Sequence, residues 1–483
     1  MTLASLISYG CLAVSQYRLL GTTYAAWLLL PLSGISLAYY LVSLRVNGFG
    51  RDFDARGHRR LVRRWRPSEY PTVDVFLPVC GEPVHVLYNT WTHVRALADH
   101  YPGICVPFVL DDSANPELAT LAREFGFRYG TRDNAPWFKK AGNLHFGFHQ
   151  THGEFVLILD ADFAPRADLL HELLPHFDTD PGIGIVQSPQ YFRVLDGQNW
   201  IERGAGAVQE LFYRSVQVSR QANGGAICVG SCAVYRRAAL KDNGGTTLIG
   251  HSEDVHTGFD LGVLGWRLVY VPVAVSAGIC PDTVTAFVNQ QYRWCTGSMS
   301  LLTSRKFWAA RMPFVTRLCY ISGFLYYLCT ALFTFAAPVV PVTLLLLAPD
   351  LIRAENMALL VPGILYSTLV LPLWHRVPYR LEAWAARMMY GWAHVFALWD
   401  AVRGRRQGWQ PTGANTAKRG KMRRFWWGMW IWGGGSAALW VGAALWRAAT
   451  WRASDFSLAL GSGLFYACVV TRVLLPPRTE ETP

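Results

Sequence analysis

The sequence predicts an α/β domain with a mostly parallel sheet, inserted between α-helical membrane segments. Three observations predict it. Long apolar runs lie at both ends of the chain, as bilayer-crossing helices require. Between about 70 and 275, short apolar strands alternate with helical stretches, the pattern of βαβ units. Across 483 residues, 52% are hydrophobic and 16% charged, which is apolar-rich and charge-poor against soluble proteins.

The elements follow in chain order. Residues 2–16 are apolar but short, and Ser15-Gln16-Tyr17-Arg18 separates them from the longer run Thr22–Val46. Two membrane helices with a tight outer turn are expected. Neither a charged n-region nor a small-residue cleavage site is present, so no cleavable signal peptide is expected. The Arg-rich stretch 51–66 places the following side inside.

Val73–Leu77 reads as a strand, 84–100 as a helix, and Ile104–Leu110 as a strand ending in Asp111-Asp112. Asn115 is placed to N-cap a helix over Pro116–Phe125. A short strand at Phe127–Tyr129 and a helix over Phe138–Gln150 come next. Val156–Leu159, bounded by Gly153 and Pro165, reads as a buried strand that runs into Asp160-Ala161-Asp162.

Residues 282–312 read as an amphipathic helix lying near the membrane surface. Spans are expected at 316–347, where Pro338 and Pro341 permit a kink, and at 357–374. The Arg-rich amphipathic stretch 375–410 should lie inside, with two last spans at 425–446 and 455–474. The total is six spans with both termini inside, although Arg447 and Arg452 in an outer turn run against the positive-inside trend. The division expected is 1–50, 51–312 and 313–483.

Net charge is +12, with Arg and Lys crowded into 51–66 and 403–424 beside apolar runs. A solvated basic face is the plain explanation, and a juxtamembrane position on the inner side explains the placement better. No nucleic-acid recognition module accompanies the charge, so no nucleic-acid partner is expected. The ten cysteines form no CxxC pair and show no repeated spacing, so reduced, mostly buried thiols facing a reducing compartment are expected.

The chemistry-bearing residues are short and scattered. Asp160 and Asp162 follow a strand, where ligands of open α/β sheets bind, and two acids there suit Mg²⁺ or Mn²⁺. Such an ion neutralises a departing diphosphate. A turn that caps the next helix would use the same acids. Asp111 and Asp112 end a strand too, as a turn signal or as nucleoside contacts. Lys140 opens a helix, where the dipole disfavours a cation, so a point-charge contact to a nucleotide explains it better, with a solvated Lys as the plain alternative.

Ser252-Glu253-Asp254 opens another helix. Ser252 as an N-cap, with Glu253 and Asp254 at the positive helix end, explains the same residues. Asp254 is also placed to take a proton from an attacking sugar hydroxyl. Gln290, Arg293 and Trp294 share a helix face, as ordinary interfacial anchors or as a diphosphate clamp and a sugar platform. His145, His149 and His152 stand at i, i+4 and i+7; no acid or Cys lies at ligand spacing, so packing or surface roles are expected over zinc.

Asp111-Asp112, Lys140-Ala141-Gly142-Asn143, Asp160-Ala161-Asp162, Ser252-Glu253-Asp254 and Gln290-x-x-Arg293-Trp294 stand together in an order that resembles the processive family 2 glycosyltransferases, which include bacterial cellulose synthases and cellulose synthase-like proteins. Gln187-Ser188-Pro189-Gln190 and Gly230-Ser231-Cys232 resemble further segments of that family. The resemblance implies a GT-A fold inside a membrane domain of about six helices. It implies an inner-membrane, multi-pass protein whose catalytic domain faces the cytoplasm.

It further implies a UDP-sugar donor, glucose first, added by inversion to a growing β-linked polysaccharide that crosses the lipid bilayer. Asp111, Asp112 and Lys140 would hold the UDP, and Asp160 and Asp162 the diphosphate and its metal. Asp254 would be the base, with Glu253 beside it. Gln290, Arg293, Trp294 and Cys232 would line the acceptor and diphosphate site. A gating loop near 403–421 would include Trp409, Thr412 and Lys418. An envelope or periplasmic partner protein is implied by resemblance alone.

The chain departs from the family at Cys80-Gly81, where Tyr-Asn is usual, at Ser113, where Gly is usual, and around Thr412. Few residues follow the last span, so no cyclic-di-GMP-binding β-barrel is expected. Chitin-, hyaluronan- or mixed-linkage glucan-type synthesis, or transfer of one sugar to a lipid, remain alternatives of the same chemistry. A transporter or nucleotide-sensing module on a degenerate transferase domain is the alternative of another class.

Overall fold

Strands β1 (Val73–Val79), β2 (Cys105–Asp111), β3 (Arg128–Gly130) and β4 (Phe155–Ile158) build the first half of a seven-stranded sheet. The computed structural model describes residues 1–22, 27, 30–48, 52–195, 197–404 and 419–475. β5 (Phe163–Pro165), β6 (Ile183–Gln187), β7 (Tyr191–Phe192), β8 (Ala233–Arg236), β9 (Arg267–Tyr270) and β10 (Ser276–Gly278) follow. The large sheet has the order β3-β2-β1-β4-β8-β6-β9, and β5-β10-β7 form a small second sheet.

The sheet is mixed. β1 to β4 pair in parallel as expected, but β8 lies antiparallel between β4 and β6. β8 therefore enters the sheet from the edge at which β4 ends.

All seven residues of β1 are buried, because helices cover both faces. Alternation decides which cover each residue meets. Val73, Val75, Leu77 and Val79 join Leu87, Trp91, Val94 and Leu97 of the helix Val84–His100. Phe76, with Val156 and Ile158 of β4, meets Leu144 of the helix Lys139–Gln150. Asn115 caps Pro116–Glu124 as expected, accepting from Glu117 N at 3.0 Å. Asp74 and Arg237 form a buried ion pair at 2.6 Å that ties β1 to the residue after β8. Asp74→Ala should lower stability by about 3–5 kcal/mol, since it strands the guanidinium; chemical denaturation measures it.

Three helices among the described residues are long and apolar enough to cross a membrane: Phe314–Leu347, Ala354–Trp374 and Ala453–Leu474. The described residues of the other three expected spans are helical but do not meet both that length and that hydropathy. Leu30–Ser43 is 14 residues long and passes into a π-turn, Leu44–Gly48. It packs on Phe314–Leu347, while Ser8 Oγ donates to Pro362 O at 2.9 Å.

Arg447 has a structural use: it donates to the carbonyls of Leu345 (2.8 Å) and Leu346 (3.1 Å), which end the helix Phe314–Leu347. The stretch 282–312 is not the single helix expected. It forms Val284–Leu302 and Arg305–Ala309, and Gln290, Gln291 and Tyr292 are buried. The helix packs along Leu381–Val402, with Tyr292 OH donating to Asp400 Oδ2 at 2.9 Å. All ten cysteines are free thiols.

Candidate active site

Register brings the chemistry to one edge. Asp111 closes β2, Ile158 closes β4, and Ala233 at the start of β8 lies opposite both Ile158 and Gln187. The segment entering β8 is held there by side-chain amides. Gln187 donates Nε2 to Ile227 O (2.6 Å) and accepts at Oε1 from Val229 N (3.1 Å). Gln217 grips Ile227 the same way, at 2.6 and 3.0 Å, and Gln190 Nε2 reaches Val229 O at 3.1 Å. These amides stand in for missing ladder partners.

Gly230, next along, has φ +76°, and a Cβ there would stand 2.7 Å from Asp254 Cβ and Oδ2. Its carbonyl accepts from Lys140 Nζ at 3.3 Å. Lys140 also binds the Asp160 carboxylate directly and lies 3.4 Å from Glu253 Oε1. One ammonium thus joins three segments far apart in sequence. Gly230→Ala should cost about 1–3 kcal/mol in backbone strain. It should also displace Asp254; thermal melting measures the strain.

Burial and charge act together on the acids. Burial first, and then Asp160, push the Asp162 carboxyl up to about 7. Burial first, and then Glu253, push Asp254 up to about 7, against the pull of Lys140. Burial alone would lower the Lys140 ammonium, but Asp160, Glu253 and Asp254 outweigh it and raise it. Burial lowers the Arg293 guanidinium, while Asp160, Glu253, Asp162 and Asp254 all pull it upward. Arg293 therefore senses the same four carboxylates.

The helix Val284–Leu302 is seated on the Asp254 helix by a glycine. A Cβ on Gly297 would fall 1.7 Å from Ser252 Oγ, so only Gly permits the contact. Ser252 itself is left-handed, φ +52°, and its side chain makes no cap to Glu253–Val263. On the same helix Gln290 is buried, and its Oε1 has no hydrogen-bond partner among the described residues. Trp294 is half-buried beside Arg293.

Asp111 and Asp112 are engaged by the protein. Asp111 accepts from Ser113 N (2.7 Å), Ser113 Oγ (2.6 Å), Asn115 N (2.9 Å) and Tyr129 OH (2.8 Å). Asp112 forms a two-pronged pair with Arg132, both contacts at 2.7 Å and both side chains buried. Arg132 further donates to the carbonyls of Trp137 (2.7 Å) and Lys139 (3.0 Å). It thereby holds Phe138 and Lys139, both left-handed, ahead of Lys140.

Cys232 is fully buried, its thiol 2.6 Å from Ser276 Oγ. Trp409, Thr412 and Lys418 lie outside the described residues. His145 and His149 meet at 3.0 Å, His152 falls beyond the helix end, and no group of three or more potential metal ligands exists among the described residues.

Arg132 and Glu82 escaped sequence reasoning. Arg132 sits in a loop without periodicity, and only its partner Asp112 drew notice. Glu82 accepts from Cys80 N at 2.6 Å, and burial first, then Asp160 and Asp111, raise its carboxyl. Its signal was its place directly after the Cys80-Gly81 departure that follows β1.

A mixed sheet with parallel β1–β4, doubly covered and carrying its acids at one edge, is a GT-A-like α/β fold. The solved mannosyltransferase PcManGT from Pyrobaculum calidifontis, in complex with GDP-Man and Mn²⁺, shares it with TM-score 0.52 at 15% identity, over 76% of this chain and 97% of that one. Residues 155–374 of the chain match the family model Glycosyl transferase family group 2.

Its homologues are named cellulose synthases. Cellulose synthase 1 of Komagataeibacter xylinus is 29% identical over 70% of this chain and 21% of its own length. The UDP-forming cellulose synthase catalytic subunits of Pseudomonas fluorescens (strain SBW25) and Xanthomonas axonopodis pv. citri (strain 306) are each 30% identical, over 54% and 53% of this chain. The chain spans 36% of the length of each of those two.

Proposed function

We propose that this chain is a processive, inverting glycosyltransferase that adds sugar, glucose first, from a UDP-sugar to a β-linked polysaccharide and passes the product across the membrane. The convergence of Asp160, Glu253 and Gly230 on Lys140, with Asp254 against Gly230, carries the reading. The relatives named UDP-forming cellulose synthase catalytic subunits support the donor and the product. The three apolar helices support membrane placement. An envelope partner protein would receive the product.

Asp254 takes the proton of the acceptor hydroxyl as that oxygen attacks the anomeric carbon. Its raised carboxyl suits a base working near neutral pH. Lys140 and Arg293 supply positive charge to the diphosphate that leaves. Gln290 offers its unsatisfied Oε1 to a sugar hydroxyl, and Trp294 a flat face to the ring. Asp112, fixed by Arg132, shapes the uridine pocket, and Asp111 holds the loop around it. Trp409, Thr412 and Lys418 would gate the site.

Asp160 and Asp162 fit a divalent ion. They are hard oxygen donors, the ammonium of Lys140 already rests on Asp160, and Asp162 is raised by burial and by the charge of Asp160. Mg²⁺ and Mn²⁺ are commonly held by one or two carboxylates plus substrate phosphates. When bound, the ion neutralises diphosphate charge.

The raised carboxyls fix a sign for stability. Unfolded, Asp162 and Asp254 titrate near 4, so the native chain keeps protons that the unfolded chain releases. Stability then falls as pH rises from about 4 through about 7. Without divalent ions the melting temperature should drop between pH 6 and pH 8, and Mn²⁺ should restore it more at pH 8. A pH-independent response to Mn²⁺ would remove the ion from Asp162.

Radiolabel from a panel of UDP-sugars, followed into high-molecular-weight material, tests the function itself. Label found only in lipid would mean single-sugar transfer, and label nowhere would remove the transferase.

A further inference from the structure

The helix Ala55–Arg64 has two faces with different fates. Arg56, Arg59, Arg60, Arg63 and Arg64 are exposed and, at 3.6 residues per turn, fall within an arc of roughly 140°. Among the described residues none of the five is within salt-bridge distance of a carboxylate.

The opposite face is latched to the α/β part. His58 is buried, with Nδ1 3.0 Å from His176 and Nε2 2.7 Å from Glu172 Oε2. Trp65, just past the helix, donates Nε1 to Asp178 at 2.8 Å. The helix cannot roll to hide its arginines without breaking these bonds. It starts seven residues after Gly48, which ends the helical run packed on the apolar helix Phe314–Leu347. From Gly48 to its first residue the chain can reach at most roughly 25 Å.

We propose that this arginine face binds the anionic headgroups of the membrane surface and docks the α/β part against it. Five unpaired guanidiniums on a latched helix beside an apolar bundle complement a sheet of phosphates, and Arg pairs with phosphate through two parallel bonds. The inference rests on membrane placement of the apolar helices and not on the sugar chemistry.

The test uses the full chain in nanodiscs of phosphatidylcholine alone, or with about one third phosphatidylglycerol, read by hydrogen exchange at 55–64. Exchange should slow roughly tenfold in the anionic discs and recover in about 0.5 M salt. R56Q/R59Q/R60Q/R63Q/R64Q should exchange equally in both discs. R59Q/R60Q, should the fivefold variant not fold, should show an intermediate difference. Equal exchange of the wild type in both discs, or the full difference surviving in the variants, overturns the proposal. Slowing by added single-stranded RNA but not by anionic lipid assigns the face to nucleic acid and overturns it too. Exchange at Phe314–Leu347, slow in both discs, checks bilayer insertion separately.

Discussion

Asp254→Asn should lower UDP release by about 10²–10⁴-fold, the range a positioned general base supplies, while UDP binding changes little. The amide matches the carboxylate in shape, so Gly230 and Val255, which touch Asp254, keep their places. It cannot accept a proton at neutral pH. Asp254 approaches Lys140 only as the third of its carboxylate neighbours, and Asp160 and Glu253 remain to hold the ammonium. The wild-type rate should rise with pH through an inflection near 7 and then level off. The buried acids are coupled, so the inflection belongs to the cluster. Steady-state UDP release across pH, paired with calorimetric UDP binding, checks both halves. Wild-type turnover in Asp254→Asn would remove Asp254 as the base.

Asp112→Ala should cost about 3–5 kcal/mol of stability, because it leaves the Arg132 guanidinium buried without its counter-charge. A second consequence sets this variant apart from an ordinary core lesion. Arg132 also holds the carbonyls of Trp137 and Lys139, which precede Lys140. Loss of Asp112 frees the guanidinium to swing, so UDP affinity should fall even where the chain is still folded. Asp112→Asn keeps the shape, loses the charge, and should lie between. Denaturation midpoints and UDP titrations at a temperature well below unfolding separate the two effects. Unchanged affinity in a folded Asp112→Ala protein would detach Arg132 from the site.

Residues whose chemistry is local were legible in the sequence. Asp160 and Asp162 follow an apolar run bounded by Gly153 and Pro165, and that run is a strand ending at the expected edge. Lys140 stood out because a helix start disfavours a cation, and the structure surrounds it with carboxylates. The direction of β8 was not legible, because strand polarity depends on partners distant in sequence. Arg132 was silent for the same reason: its bonds to Asp112 and to the carbonyls of Trp137 and Lys139 exist only once Asp112 and the left-handed turn at Phe138 meet it. The helix Val284–Leu302 shows a further limit. Apolar periodicity says that a face is covered, not whether lipid or protein covers it, and here Leu381–Val402 does so.

The missing side chain at Gly297 has a mechanical result. With Ser252 pressed into that gap, the helix bearing Asp254 and the helix bearing Gln290, Arg293 and Trp294 are in direct contact. If the chain advances one sugar at a time, as proposed, some part must shift at every step, and here Ser252 would first have to leave its gap. The Tyr292–Asp400 contact with Leu381–Val402 is the other joint to probe.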